Sequence, residues 1–199
     1  NLTSMKSGDN VIKEISYDSN NQYNSVITKN TEFNLAIHKD SLVYNVDGNI
    51  TKIITMSNDS SGFFILWTNN LVYNNDGKIE KVITYSDRTQ KVITIDSFHW
   101  ENNNIIQIDQ FDENENLKHS FFRTYDDKNN YKKDLPRFAT EFRDAYNANN
   151  VVEESFLDFS GILDYGCNPC MSEHKYNLDD YPTEIKSPYN STFIKLTYQ

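Results

Sequence analysis

The chain has 199 residues, enough for one domain or one domain with an insertion. Its formal net charge of -10 and pI near 4.8 argue against nucleic acid or anionic lipid as partners, because phosphate binding needs clustered Lys and Arg. Mean hydropathy is -0.71 and no stretch approaches the roughly 18 apolar residues of a membrane-spanning helix, yet Ile, Leu, Val and Phe make up about a quarter of the residues, above the level of a disordered chain.

Asn is in excess, at 27 of 199 residues. Asn, Lys, Ile, Tyr and Phe share AT-rich codons, which explains part of this; turn chemistry explains the rest through placement. Asn and Asp cluster just after an aromatic residue and just before a β-prone run. The clearest copies are YNVDGNITKIIT from Tyr44 and YNNDGKIEKVIT from Tyr73, 29 residues apart. Looser copies begin at Tyr17 (YDSNNQYNSVIT), Trp100 (WENNNIIQI), Phe111 (FDENENLKH), Tyr125 (YDDKNN) and Tyr176 (YNLDDYPTEIK). This internal repeat predicts β-hairpins. Asp47-Gly48 and Asp76-Gly77 suit type I′ turns, whose central residues both need positive φ. Asn20-Asn21, Asn103-Asn104 and Asn129-Asn130 are expected to supply the same left-handed backbone where Gly is missing.

The flanking runs GFFILWTNNLVY (62–73), KIEKVITYS (78–86) and KVITIDSFHW (91–100) are rich in β-branched and aromatic residues and read as strands. Neither face of the last run is cleanly apolar. The expected fold is therefore mainly β: a curved or partly closed antiparallel meander of repeated hairpins with a modest core and a wet outer face. One segment departs from this. Asp134 to Tyr146 places Leu135, Phe138, Phe142 and Ala145 at helical spacing behind Pro136 and predicts a short amphipathic helix near 135–146 that covers one end of the sheet. Val151 to Phe159 and Ser191 to Tyr198 read as further strands. The whole is taken as a single β-domain, 1–199, with hairpin repeats over 1–133, a helical insertion over 134–148 and closing strands with a Cys-containing loop over 149–199.

The order of these parts resembles an uncharacterised family of Bacteroidetes secreted lipoproteins, a domain of unknown function with a porin-like fold and YD-type hairpin repeats. That order is repeated hairpins, WENNNIIQI, a YDDKNN turn into a Leu-Pro helix, an Asn-Asn-Val segment and the closing HKYNLDDYPTEIK hairpin, and it spans about Tyr44 to Tyr198. The resemblance implies a curved antiparallel sheet and export to the periplasm, outer membrane or cell surface. It implies membrane attachment only through a lipid upstream of Asn1, and it carries no activity. The CNPC segment from Cys167 to Cys170 departs from the pattern.

Cys167 and Cys170 are the chain's two cysteines. In an exported protein they favour a local disulfide. Free thiols, a thioredoxin-like redox pair, or a zinc site with His174 and Asp164 or Glu173 remain as alternatives. Other chemistry is thin. Four His are present, but no nucleophile elbow, zinc-protease helix or Gly-rich phosphate loop accompanies them. Glu153-Glu154 and Asp179-Asp180 would point to opposite faces of a strand. Asn45, Asp47 and Asn49 form an N-x-D-x-N ladder, but Ile50 and Met56 stand where a calcium loop needs Gly and Glu, so a hairpin turn explains them better. Trp67, Tyr73, Phe98 and Trp100 form a candidate ligand-binding platform, with core packing as the competing role. The expectation is a noncatalytic protein without cofactor or metal, binding a glycan, peptide or envelope protein; an assembly component pairing through sheet edges is the alternative, and an envelope hydrolase or thiol-redox protein is a third.

Overall fold

The computed structural model describes residues 4–6, 11–20, 22–33, 35–130, 146–159, 170–186 and 193–195. The chain divides into two compact units, 1–95 and 96–199. Unit 1 holds β1 (Ser4–Lys6), β2 (Val11–Tyr17), β3 (Tyr23–Asn30), β4 (Leu35–Tyr44), β5 (Ile50–Asp59), β6 (Gly62–Tyr73) and β7 (Ile79–Ser86). Each pairs antiparallel with the next. The division falls inside β8 (Val92–Glu101). Unit 2 continues with β9 (Asn104–Phe111), β10 (Leu117–Asn129), β11 (Asn149–Asp158) and β12 (Cys170–Met171), again antiparallel in chain order. A separate three-stranded sheet contains β13 (Glu173–Tyr176), β14 (Pro182–Lys186) and β15 (Phe193–Lys195). The protein is thus mainly β, an antiparallel meander without crossovers that does not close on itself. Among the described residues there is no helix; the helix expected near 135–146 falls in 131–145, outside them.

The repeat is built on one hydrogen-bonding device. In five turns the side-chain oxygen of an Asn or Asp accepts the backbone N–H groups two and four residues ahead. These residues are Asp18, Asn45, Asn74, Asp112 and Asn177, with distances of 2.8 to 3.1 Å. The N–H of the fourth turn residue returns to the carbonyl of the first, as from Gly48 to Asn45 and from Gly77 to Asn74, both at 3.1 Å. Only that fourth residue is left-handed: Gly48 at φ +81, Gly77 at +74, and Glu115 and Asp180 at +60 and +62 where Gly is missing. The Asp-Gly pairs are therefore three-residue loops, a type I turn followed by a left-handed residue, and not the expected type I′ turns. The reason is local, since the Asn45 oxygen fixes the Asp47 N–H and holds that residue at negative φ. The two-residue left-handed turn occurs instead at Asn102 and Asn103, at φ +47 and +64. Asn104, Asn129 and Asn130 are not left-handed, and Asn21 lies outside the described residues.

A left-handed residue after a type I turn is accompanied by a β-bulge. Val43 pairs with Lys52 but Tyr44 pairs with Ile50, leaving Thr51 as the extra residue. In the next hairpin Glu80 is the extra residue, and in the preceding one Asn24. The bulge solves a parity problem. Ile50 and Ile53 are three apart, so a regular strand would send them to opposite faces; one extra residue returns both to the same face, and both are buried. Ile79 and Val82 repeat the arrangement, and with Ile15, Val26, Leu42 and Leu71 they make the core of unit 1. The aromatic residue before each turn completes the unit. Tyr44 Oη donates to the Tyr23 carbonyl at 2.7 Å, Tyr73 Oη to the Ile50 carbonyl at 2.8 Å and Tyr125 Oη to the Ile105 carbonyl at 2.5 Å, each joining one hairpin to the previous one.

Gly77→Ala places a β-carbon in open space but at a left-handed φ, so its cost is conformational, about 1 kcal/mol, and Gly77→Asn costs about half as much. Tyr73→Phe removes the link to Ile50 and costs about 1 kcal/mol. Urea unfolding at neutral pH reads all three, and a Gly77→Ala variant as stable as the parent contradicts the turn geometry.

Candidate functional site

In the β5–β6 hairpin several large apolar side chains close together in sequence are exposed. Phe63, Phe64, Ile65 and Trp67 are 42, 44, 38 and 36 % exposed. Register assigns their faces. Phe63 stands opposite Asn58 and Ile65 opposite Met56, on one face; Phe64 stands opposite Ser57 and Trp67 opposite Thr55, on the other. Phe64 and Trp67 share a face despite being three apart because Leu66 is an extra, bulged residue. Polar residues share that face: His38 opposite Ser57 in one row, Asp40 opposite Thr55 in the next. Thr55 Oγ1 donates to Asp40 Oδ1 at 2.7 Å. Trp67 in turn stands opposite Ser86 of β7. Two aromatic side chains are thus presented beside hydroxyls, a carboxylate and an imidazole, the mixture of apolar surface and oriented polar groups that small-ligand and peptide sites use.

Burial pushes the Asp40 carboxyl above its ordinary value, against the opposing pull of the Thr55 hydroxyl, Lys13 and His38. The equivalent residue of the next hairpin is Asn69, which accepts from Thr84 Oγ1 at the same 2.7 Å. The polar pair is therefore retained with an uncharged acceptor.

Of the four aromatic residues singled out in the sequence, Trp67 is at this surface. Tyr73 is committed to the Ile50 carbonyl, and Phe98 is 6 % exposed and packs in the core of unit 2, so it presents no face to a ligand. Trp100 is half-buried in β8. Phe63, Phe64 and Ile65 were legible only as strand-forming residues, because exposure depends on where the neighbouring strands end.

Unit 2 brings together ionisable groups that chain order does not. His99 Nε2 lies 2.8 Å from Asp109 Oδ2, and Ser120 Oγ donates to Asp109 Oδ1 at 2.5 Å. Gln107 Nε2 also donates to this carboxylate. Burial would raise Asp109, but the bonds from Ser120, Gln107 and His99 hold it below the usual range. In a hydrolytic triad the imidazole sits between hydroxyl and carboxylate; here the carboxylate sits between the other two, so His99 bonds to Asp109 and not to the buried Ser120 hydroxyl. Across β10 and β11, Arg123 Nε donates to Glu154 Oε2 at 2.6 Å and His119 Nδ1 stands 3.2 Å from Asp158 Oδ1. Cys170, in register with Glu154, is disulfide-bonded and so offers no thiolate to a metal. Cys167 lies outside the described residues. Asn45 spends its side-chain oxygen on its own turn, which removes it from any calcium ladder. Among the described residues no group of three or more His, Cys, Asp or Glu side chains converges as a metal site.

Sequence reasoning missed a buried asparagine network. Asn104, Asn130, Asn147 and Asn150 are all buried in unit 2. Asn147 Oδ1 accepts from the Ile105 N–H at 2.7 Å, and Asn104 Oδ1 accepts from the N–H groups of Ala148 and Asn149, both at 3.0 Å. Asn130 Nδ2 donates to the Asn147 carbonyl, and Asn150 Nδ2 to the Asn129 carbonyl, each at 2.9 Å. An amide side chain both donates and accepts, so it can satisfy a buried N–H and a buried C=O where two chain segments meet irregularly. Asp126 anchors the far side: it accepts from the Asn150 N–H and from Tyr176 Oη of β13. Burial, together with the Asp126 bond and charge, holds the Tyr176 hydroxyl well above the ordinary phenol range. It therefore stays protonated and donating.

No protein-family model matches the sequence, and no curated protein is similar to it at a significant level. Comparison with solved structures finds matches of low identity. A porin-like protein from Bacteroides uniformis is 11% identical with a TM-score of 0.49, over 92% of this chain and 84% of that one. A porin-like protein from Bacteroides vulgatus is 8% identical with a TM-score of 0.48, over 99% and 96%. The TcdB2-TccC3-Cdc42 structure is 11% identical with a TM-score of 0.42, over 88% of this chain but 10% of that one.

Asp40→Asn should raise the urea midpoint at pH 7. A carboxyl whose folded pKa is raised favours the folded state below its unfolded pKa and loses that contribution as pH rises, so the gain should vanish below about pH 4. Tyr176→Phe leaves a carboxylate without its phenol donor and should cost about 2 kcal/mol. Equal midpoints for Tyr176→Phe and parent contradict an anchoring role for that bond.

Proposed function

We propose that the protein is a noncatalytic, exported cell-envelope protein, lipid-anchored in its natural setting, that binds a glycan or peptide at the exposed end of the β5–β6 hairpin. The observation that carries the reading is the run Phe63, Phe64, Ile65 and Trp67, four large apolar side chains in one short strand segment that remain exposed on both faces. Scattered exposed apolar residues are ordinary on a protein surface, but a contiguous aromatic segment beside oriented polar groups carries binding energy. Export is supported by the order of the hairpin repeats and by the disulfide at Cys170, since such bonds persist in oxidising compartments. The ionisable groups of unit 2 support a structural reading of that unit: each is tied into a cross-strand pair whose partners belong to the ladder itself.

Screening the protein against arrays of bacterial glycans and of extended peptides tests the proposal. A ligand of one class should bind, and Trp67→Ala and Phe64→Ala should each weaken it by about tenfold or more while leaving the unfolding midpoint nearly unchanged. Binding that is indifferent to both substitutions, or absence of binding in both arrays, removes this surface as the site.

A further inference from the structure

The same hairpin carries a feature that side-chain exposure alone does not describe. β6 starts at Gly62, but its pairing with β7 starts at Trp67, opposite Ser86. The last bond along that edge runs from the Asp87 N–H to the Leu66 carbonyl, at 3.1 Å. Over 62–66 β6 is paired with β5 on one side; along its other side the Asp87 bond reaches only the Leu66 carbonyl, and among the described residues no strand pairs with 62–65 there. In an antiparallel pair alternate residues turn their N–H and C=O away from the partner, so this length presents unpaired backbone groups in a row. Its exposed side chains alternate as well, Phe63 and Ile65 to one face and Phe64 to the other. An occupant lying on one face would cover half of them and none of the backbone. A strand added in the plane of the sheet meets all of it, because its own side chains alternate and its amides pair with the edge.

Taking the β5–β6 hairpin as a binding site, as proposed above, we infer that its ligand is an extended polypeptide segment that pairs with β6 along 62–66. The edge has a glycine at one end and none of the Lys, Pro or inward charges that block edge pairing. Charge narrows the occupant. Residues 1–95 hold nine Lys and Arg against ten Asp and Glu, whereas 96–199 hold ten against nineteen. The open edge thus lies in the nearly neutral part of an acidic chain. A second copy would bring ten more net negative charges with it, so the fitting occupant is a segment of another protein, β-prone, apolar in alternation and neutral or basic overall.

The test uses the full chain and three probes. These are a short peptide of alternating Val and Thr with Lys at both ends, the same peptide N-methylated at alternate residues, and a soluble β-linked glucan hexasaccharide. The first peptide should slow amide hydrogen exchange across 62–66 by about tenfold or more. The N-methylated peptide, which keeps the side chains but loses edge donors, should bind about tenfold more weakly or worse. Ile65→Lys should weaken binding to a similar degree, while Phe33→Lys, at an equally apolar exposed position in the β3–β4 turn, should leave it unchanged. Equal binding of the two peptides, or equal loss from Phe33→Lys, overturns the strand-pairing inference. Glucan binding sensitive to Trp67→Ala, without amide protection over 62–66, overturns it while leaving the hairpin as a binding site. If none of the probes binds, both readings fail. Protection that grows with protein concentration and needs no peptide identifies a second copy as the occupant and likewise overturns it.

Discussion

The bond from an Asn or Asp side-chain oxygen to the backbone N–H groups two and four residues ahead is the constraint on which the rest of this structure depends. It fixes a three-residue loop, the loop forces a left-handed fourth residue, and that residue brings a bulge into the following strand. The bulge decides which side chains share a face. Without it Ile50 and Ile53 would oppose each other across the sheet, and one would be in water. A polar contact at the surface therefore selects the apolar core, which accounts for how a chain of such low mean hydropathy still buries a continuous row of Ile, Val and Leu.

Polar groups recur inside the sheet for a related reason. A row of threonine hydroxyls bonded to Asp40 and Asn69 runs beside the core of unit 1, and an amide network closes the irregular end of unit 2. Each of the uncharged groups has a partner, so its burial costs little, whereas a single unmatched amide at such a place would cost about 1–3 kcal/mol. Asn serves two purposes here. In the turns it receives two N–H groups, and in the network it bridges donors and acceptors that no strand partner reaches.

The proposed site lies where the meander is uneven. β6 runs five residues past the point where β7 pairs with it, and there Phe63, Phe64 and Ile65, with Trp67 at the first paired position, stay in contact with solvent. The groupings in unit 2 that resemble catalytic sets, His99 with Asp109 and Ser120 above all, are cross-strand contacts in which the carboxylate, not the imidazole, holds the middle place.

The sequence alone determined the β class, the hairpin repeat and the positions of most strands, because aromatic-Asx-turn units and β-branched runs are local signals carried within about ten residues. β11 and β15 fall where Val151 to Phe159 and Ser191 to Tyr198 predicted them. The turn type was not legible, since Asp-Gly suits two loop lengths and the choice rests on what the preceding Asn side chain bonds. Facing could not be read either: neither face of KVITIDSFHW is cleanly apolar, and in GFFILWTNNLVY the bulge at Leu66 inverts the alternation. Only the tertiary structure decided that Phe98 is core while Phe64 and Trp67 are surface, and that Asn104, read as a turn residue, and Asn147, placed in the expected helical insertion, are buried. Exposure is set by where the adjacent strand ends, and adjacency between residues 42 to 50 apart is written in no local pattern.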